Sequence, residues 1–176
     1  MPFLFIKIVK YINNYMSVMR RKDREVKDQN EIEDIIKKAD VCRLAMIDDD
    51  MPYIVTLNFG YQSGNPAYLY FHCANEGRKL DIIEKNNKVC FEMDVDHVLE
   101  EAKKACGYSM SFKSIVGYGR ISKVETNEGK IQGLDSIMSQ YSDRTGFTYE
   151  DKMLEMTTIL KLEIETLTCK VKKSNA

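Results

Sequence analysis

The sequence predicts a mainly β fold: an antiparallel barrel of six strands with helices around its periphery. Three observations predict it. The early strands are joined by links of hairpin length, the final strand alternates apolar and charged residues from Leu160 to Glu165, and the helical segments are few and mostly short. A chain of 176 residues, 44% of them hydrophobic and 30% charged, is long enough to bury one substantial core.

Each strand is predicted by a run of β-branched and aromatic residues, and each helix by apolar residues at helical spacing. The first helix begins at a capping box formed by Asn30 and Glu33, and three aspartates from Asp48 onward predict a hairpin turn. Gly117 and Gly119 interrupt the fifth strand, which predicts a bulge or a close backbone approach. The predicted strands are 41–47, 53–61, 67–73, 88–95, 110–125 and 160–165. The predicted helices are 30–38, 78–85, 128–141 and 150–155, with a short helix or excursion between 96 and 107.

Composition and charge limit the classes of function. The net charge of −1 gives no overall field that would attract nucleic acid or an anionic membrane. The five cysteines are odd in number and show no Cys-x-x-Cys spacing, which argues against a disulfide framework and a zinc site and favours a reducing cytoplasm. Residues 1–18 are predicted to be an N-terminal extension ahead of a single domain, 19–176. An alternative is that this extension is an amphipathic helix that packs on a partner subunit.

The most informative local feature is the turn after the third strand. A glycine, Gly77, precedes two cations, Arg78 and Lys79, at the position where a helix begins. Backbone N–H groups at a helix N-terminus favour an anion, and these side chains strengthen that preference. The turn therefore predicts a phosphate site, with a solvated surface pair as the alternative.

Four further polar residues lie in predicted strands. Arg43 is flanked by apolar residues, so its charge needs either solvent or an anion. His72 ends the third strand. Thr56 and Asn58 share one strand face, which suits hydrogen bonding to the edge of a polar heterocycle. The alternatives are a solvent-reaching arginine, a plain hydrogen-bonded histidine and a half-exposed strand. Ser111 and Ser114 of the fifth strand admit the same two interpretations. Common nucleotide-binding, hydrolase and zinc-protease motifs are absent.

Taken in order, five segments resemble the pyridoxamine-phosphate-oxidase-like flavin proteins, and within them the nitroimidazole-resistance (Nim) branch. The segments are Arg-Leu-Ala (43–45), Pro-Tyr-Ile-Val-Thr-Leu-Asn-Phe-Gly-Tyr (52–61), Leu-Tyr-Phe-His-Cys-Ala-x-x-Gly-Arg-Lys (69–79), Val-Cys-Phe-Glu (89–92) and Ser-Ile-Val-Gly-x-Gly (114–119). The resemblance spans roughly residues 19–172.

The resemblance implies a six-stranded split β-barrel of FMN-binding type that forms a homodimer with flavin at the subunit interface. FMN is the expected cofactor and FAD the alternative; no metal, nucleic acid or membrane partner is expected. His72 is implied to be catalytic as well as flavin-binding. The other implied flavin-binding residues are Arg43, Leu44, Thr56, Asn58, Gly77, Arg78, Lys79, Ser114 and Val116.

One departure from the family concerns the substrate. The segment Glu163 to Lys173 lacks the Arg-x-His signature of true pyridoxamine-phosphate oxidases, which argues against vitamin B6 oxidation. We therefore expect a cytoplasmic flavin-dependent oxidoreductase, a reductase of nitroimidazole-like or other small electron-poor substrates. The alternatives are a flavin- or haem-binding split barrel without turnover and a structural dimer with an empty pocket.

Overall fold

Eight strands form one antiparallel sheet in the computed structural model, which describes residues 19–173. Their order across the sheet is β3-β2-β6-β7-β8-β5-β4, and β1 pairs with β8. The strands are β1 (Glu25–Val26), β2 (Cys42–Asp48), β3 (Met51–Leu57), β4 (Gly60–Gln62), β5 (Tyr68–Ala74), β6 (Lys88–Glu100), β7 (Ser109–Val124) and β8 (Thr157–Lys172). The helices are α1 (Gln29–Lys38), α2 (Arg78–Lys85), α3 (Asn127–Tyr141) and α4 (Asp151–Glu155).

Alternation along the strands gives the sheet one buried face. Side chains such as Leu44, Phe71, Phe91 and Ile115 point into the main core and are almost completely buried. The apolar faces of α1 and α2 complete that core. We call the opposite side of the sheet the outer face.

Helix α3 covers only part of the outer face. Its Ile137 packs with Tyr70 of β5 and Ile159 of β8 in a second, smaller cluster. The close contact depends on Gly133, because a Cβ at this position would lie 2.6 Å from Ile159 Cγ2. The outer face of β3, β2 and β6 contributes no residue to this cluster.

The mainly β barrel class predicted from the sequence is confirmed, but the predicted count of six strands is wrong. The predicted strand 53–61 is two strands, β3 and β4, because the chain leaves the ladder at Asn58 and Phe59. The two-residue β1 is too short to give an alternating pattern, and it exists because its backbone pairs with Lys170 and Cys169 of β8. Pairing with β7 also extends β6 beyond Val95 to Glu100.

Two local predictions have different outcomes. The predicted capping box at Asn30 is wrong: α1 begins earlier, with Asp28 as its N-cap, whose side chain accepts a hydrogen bond from the N–H of Glu31 at 3.0 Å. The prediction at Gly117 and Gly119 is confirmed, since the β7–β8 register shifts between Tyr118 and Gly119. A Cβ at Gly117 would collide with the Phe91 ring.

The N-terminal extension predicted for residues 1–18 lies outside the described residues. Within 19–173, no helix is long and apolar enough to cross a membrane. The same residues contain no group of three or more histidine, cysteine, aspartate or glutamate side chains that could hold a metal ion.

Candidate functional site

The turn between β5 and α2 has the backbone of an anion site. Its Gly77 is the N-cap of α2, with φ 135° and ψ 157°, and it provides no side-chain cap. The carbonyl of Gly77 accepts a hydrogen bond from the N–H of Leu80 at 2.8 Å. A Cβ at Gly77 would contact nothing within 4 Å, so the space beside the helix N-terminus is open. The backbone N–H groups that a helix N-terminus provides and this open space both fit a phosphate group.

Asn75 ties this turn to the start of β8. Its Nδ2 donates to the carbonyl of Glu155 at 2.6 Å, and its Oδ1 accepts from Thr158 Oγ1 at 2.9 Å. These bonds join residues that are at least 80 positions apart in the chain. The turn is therefore held in place by the junction between α4 and β8, which keeps the start of α2 oriented.

Arg78 lies where the turn meets the β2–β3 hairpin. Its Nε donates to Asp48 Oδ2 at 2.8 Å, and its guanidinium lies 4.6 Å from the centre of the Tyr53 ring. The side chain is still 58% exposed. Because Asp48 uses Nε, the two terminal nitrogens have no hydrogen-bond partner among residues 19–173 and face solvent, in the fork that binds phosphate oxygens.

Lys79 points to a different neighbour. It is half-buried and lies near the thiol of Cys73 at the end of β5. Burial raises the pKa of this thiol, while Lys79 and the nearby Lys123 oppose that rise. Lys79 and Lys123 therefore lie on the Cys73 side of the turn, where Lys123 also donates to Glu84, while Arg78 lies on the side of the β2–β3 hairpin.

His72 is exposed on β5, paired with Ile159 of β8. Its side chain makes no hydrogen bond to any residue between 19 and 173, so the described residues leave both ring nitrogens free. The catalytic role predicted for it stays a prediction.

Three of the predicted flavin-binding residues lie in one line across the outer face. Thr56 of β3 is opposite Arg43 of β2, Arg43 is opposite Glu92 of β6, and Glu92 is opposite Val116 of β7. We call these four residues the outer row. Ser114 lies beside it, opposite Asp94. The sheet therefore brings together residues from four strands that are far apart in sequence.

Arg43 is held by two carboxylates. Its Nη1 donates to Glu92 Oε2 at 2.9 Å and also to Asp94. His97 Nε2 lies 2.7 Å from the other oxygen of Asp94. Burial raises the pKa of Glu92, and the hydrogen bond from Arg43 opposes that rise. Arg43 thus contacts two carboxylates of the protein itself, whereas Arg78 contacts only one, Asp48.

Sequence reasoning assigned no role to Glu92 or Asp94. A signal existed, because they are the polar members of the alternating run from Lys88 to Val95 and so share the outer face. Their approach to Arg43 depends on the pairing of β2 with β6, which the sequence does not specify.

Two predicted residues lie outside the outer row. Leu44 is fully buried in the core, on the opposite side of β2 from Arg43, so only its backbone faces the ladder. Asn58 follows the end of β3, and its Nδ2 donates to the carbonyl of Asp40 at 3.4 Å. Beside it, the N–H of Phe59 donates to the hydroxyl of Tyr141 at 3.0 Å. In the described structure Asn58 therefore helps to close the break between β3 and β4.

The outer row and the β5–α2 turn approach the β2–β3 hairpin from opposite sides. Arg43 and Thr56 point to the outer face, whereas Asp48 and Tyr53 belong to the alternating set that faces the core. Arg43 and Asp48 are also five residues apart on β2, a distance of about 17 Å along a strand. The predicted residues of the turn and those of the outer row thus form two separate groups within one chain.

Comparison with known proteins places the chain in a family. The sequence profile described as pyridoxamine 5'-phosphate oxidase matches residues 28–171. A curated but uncharacterised protein of Rhizobium meliloti is 29% identical over 104 residues, which are 59% of this chain and 60% of the length of that relative.

Two solved structures share the fold. A proposed 5-nitroimidazole antibiotic resistance protein from Bacteroides thetaiotaomicron is 33% identical, with a TM-score of 0.73 over 84% of this chain and 86% of that one. A FAD- and haem-binding protein from Mycobacterium smegmatis is 15% identical, with a TM-score of 0.74 over 86% of this chain and 74% of that one. The split β-barrel is thus shared with flavin-binding neighbours, and the chain belongs to the pyridoxamine 5'-phosphate oxidase family.

Proposed function

We propose that this protein binds a flavin through its phosphate at the β5–α2 turn and acts as a reductase of small electron-poor substrates such as nitroimidazoles. The observation that carries the proposal is the uncapped start of α2 at Gly77, beside the partly free guanidinium of Arg78. The solved relative at 33% identity, described as a proposed 5-nitroimidazole antibiotic resistance protein, supports the substrate class.

The residues of the chain have distinct parts in this proposal. Arg78 and Lys79 bind the phosphate, and the open turn at Gly77 lets the backbone N–H groups approach it. The residues of the outer row and Ser114 contact the ring system, and His72 holds or donates a proton at an imidazole nitrogen. When bound, the flavin supplies the transfer of electrons between donor and acceptor.

A homodimer with flavin at the subunit interface belongs to the same proposal. The turn and the outer row lie on opposite sides of the β2–β3 hairpin, so one flavin does not readily reach both within one chain. A second copy would supply the missing group. Size measured by light scattering, with and without flavin, tests this: a monomer that still binds flavin tightly contradicts the interface site.

The absorption spectrum of the purified protein is the first test of the function. We expect flavin bands, bleaching by NADH or NADPH, and recovery of the bands when a 5-nitroimidazole is added without oxygen. Protein that stays colourless after flavin is added and the excess removed contradicts flavin binding. Reduction without reoxidation by the nitroimidazole contradicts the substrate class and leaves flavin binding intact.

The second candidate is a flavin- or haem-binding protein without turnover. The exposed His72, with no partner among residues 19–173, is suited to ligate haem iron, and the relative from Mycobacterium smegmatis is described as binding both FAD and haem. A Soret band after reconstitution with haem, lost in His72→Ala, supports this candidate. Absence of a Soret band eliminates the haem form.

A further inference from the structure

The break between β3 and β4 adjoins the outer row. Cys42 and Leu57 form the last β2–β3 pair, and the chain then leaves the ladder. Asn58 is the first residue of the break, two positions after Thr56, which ends the outer row on β3. What holds the break therefore decides where the side chain of Asn58 lies relative to this row.

One hydroxyl group of α3 holds the break. The N–H of Phe59 donates to the hydroxyl of Tyr141 at 3.0 Å, and that hydroxyl donates in turn to the carbonyl of Asp40 at 2.9 Å. Phe59 is fully buried, and its ring meets the Tyr141 ring edge-on, with centres 6.5 Å apart. Tyr141 thus joins the break to the segment that leads into β2.

The end of α3 that carries Tyr141 is itself fixed by two contacts. A Cβ at Gly60 would lie 2.3 Å from the carbonyl carbon of Ser136, so α3 packs directly on the start of β4. The Nε2 of Gln140 donates to three carbonyls at the C-terminal end of α1, those of Ile36, Lys37 and Ala39, at 3.0, 3.1 and 3.1 Å. The Tyr141 hydroxyl is therefore a fixed point.

The side chain of Asn58 is held less firmly than the backbone beside it. Its one hydrogen bond to residues 19–173 runs from Nδ2 to the carbonyl of Asp40 at 3.4 Å, which is longer than the usual range of about 2.7–3.2 Å. Its Oδ1 accepts no hydrogen bond from these residues, and the side chain is exposed. A carboxamide in this state can pair with a ligand edge that offers a donor and an acceptor side by side.

We propose that Tyr141 is a positioning residue for the flavin ring: its hydroxyl fixes the β3–β4 break so that the carboxamide of Asn58 pairs with the lactam edge of the ring. The physical gain is preorganisation, since a fixed backbone leaves only the side chain to be ordered when the ring binds. The inference rests on the proposed flavin function and adds a residue of α3 to it.

A double-mutant cycle on the full chain tests this role. Tyr141→Phe removes the hydroxyl and keeps a ring that is 43% exposed. The matched control is Tyr149→Phe, because the Tyr149 hydroxyl donates to Asp135 at 2.8 Å, a contact that does not involve β3. Calorimetry gives dissociation constants for FMN and riboflavin. We expect Tyr141→Phe to weaken both ligands about fivefold and Tyr149→Phe to leave both within about twofold.

The effect of the hydroxyl should disappear when Asn58 is absent. In the Asn58→Ala background, Tyr141→Phe should change the affinity by less than about twofold, because no carboxamide remains to be positioned. A tyrosine that only stabilises the fold would weaken binding by the same factor in both backgrounds. That result overturns the inference, and so does an unchanged affinity in the single variant Tyr141→Phe.

Riboflavin separates the ring contact from the phosphate contact, since it has the ring and lacks the phosphate. A loss of affinity for FMN alone overturns the proposed ring contact; where riboflavin binds too weakly to measure, the FMN cycle decides. Wild-type protein that binds neither ligand contradicts the proposed function, and this inference fails with it. Wild-type binding without coupling between Tyr141 and Asn58 overturns the role of Tyr141 alone and leaves the flavin function intact.

Hydrogen exchange in the ligand-free protein gives a measurement that needs no flavin. The N–H of Phe59 should exchange about tenfold faster in Tyr141→Phe than in wild type, because its acceptor is lost. In Asn58→Ala the same N–H should exchange within about threefold of the wild-type rate, because the acceptor remains. Unchanged exchange in Tyr141→Phe shows that the hydroxyl does not fix the break and overturns the inference.

Discussion

Two exposed arginines of this protein have opposite surroundings. Arg43, in the outer row, faces two carboxylates, Glu92 and Asp94, and its side chain is 43% exposed. Arg78, at the start of α2, contacts one carboxylate, Asp48, and lies next to a helix N-terminus and a second cation, Lys79. Arg43 therefore contacts two carboxylates, whereas Arg78 contacts one and has no partner for its two terminal nitrogens among residues 19–173.

The difference separates two uses of arginine. In the outer row the guanidinium joins β2 to β6, and little of its charge is available to another anion. At the β5–α2 turn the unpaired terminal nitrogens of Arg78 and the open backbone at Gly77 leave room for an anion. We therefore propose that the turn binds the flavin phosphate. The outer row would then contact the flavin ring through hydrogen bonds. The variants below test this assignment.

The largest effect is expected from removing both cations of the turn. Arg78→Ala combined with Lys79→Ala should weaken FMN binding about a hundredfold, because two charge-assisted contacts to phosphate are lost. The control is Lys103→Ala with Lys104→Ala, two adjacent exposed lysines far along the chain. Flavin fluorescence titration measures both. Equal affinity in the two double variants would show that the phosphate lies elsewhere.

The backbone of the turn provides the next test. With φ 135° and ψ 157°, Gly77 has a conformation that is essentially restricted to glycine. Gly77→Ala should lower the free energy of unfolding by about 2 kcal/mol from backbone strain alone, since no atom lies near enough to clash. Urea denaturation measures the loss, with Glu76→Ala as the neighbouring control. A loss below that of the control contradicts the strained conformation.

Removing the arginine of the outer row should affect stability more than flavin binding. Arg43→Ala leaves Glu92 and Asp94 without their shared partner, and we expect a loss of about 1 kcal/mol at pH 7, a modest value because the group is partly exposed. Arg120→Ala is the control, since that arginine has a single carboxylate partner, Glu165, at 2.8 Å. A tenfold or greater loss of FMN affinity in Arg43→Ala would contradict the assignment of the phosphate to the turn.

The pH dependence of this loss has a definite sign. Burial raises the pKa of Glu92 above 4.5 and Arg43 opposes that rise, so Arg43→Ala raises it further. A carboxyl whose pKa is higher in the folded state destabilises the fold when ionised. This penalty is fully present above the folded-state pKa and is relieved as the pH falls toward 4.5. The stability difference between wild type and Arg43→Ala should therefore shrink from pH 7 to pH 5, and a difference that grows contradicts this cause.

The sequence predicted the turn better than the outer row for a physical reason. The end of β5, the glycine at Gly77, the two cations and the start of α2 are contiguous, so local chemistry defines them. The partners of Arg43 lie 49 and 51 residues away, and alternation shows only that they share a face. The break between β3 and β4 likewise depends on Tyr141, 82 residues beyond Phe59. Strand alternation predicts the elements, whereas pairing between distant strands determines which side chains meet.

The smallest effect on FMN affinity is expected from changing Asp48, the carboxylate that contacts Arg78. Asp48 orients Arg78 through Nε and also places a negative charge near the proposed phosphate. Asp48→Asn keeps an oxygen that can accept the hydrogen bond and removes the charge, so FMN affinity should rise about threefold. Asp48→Ala removes both the acceptor and the charge. The Tyr53 ring alone then positions the guanidinium, and affinity should fall below that of Asp48→Asn.

Titration with FMN at low and high salt distinguishes these outcomes, because the gain in Asp48→Asn is electrostatic and shrinks as salt increases. If both variants bind FMN as wild type does, Asp48 neither orients Arg78 nor repels the ligand, and the turn binds its anion through the helix N-terminus and Lys79.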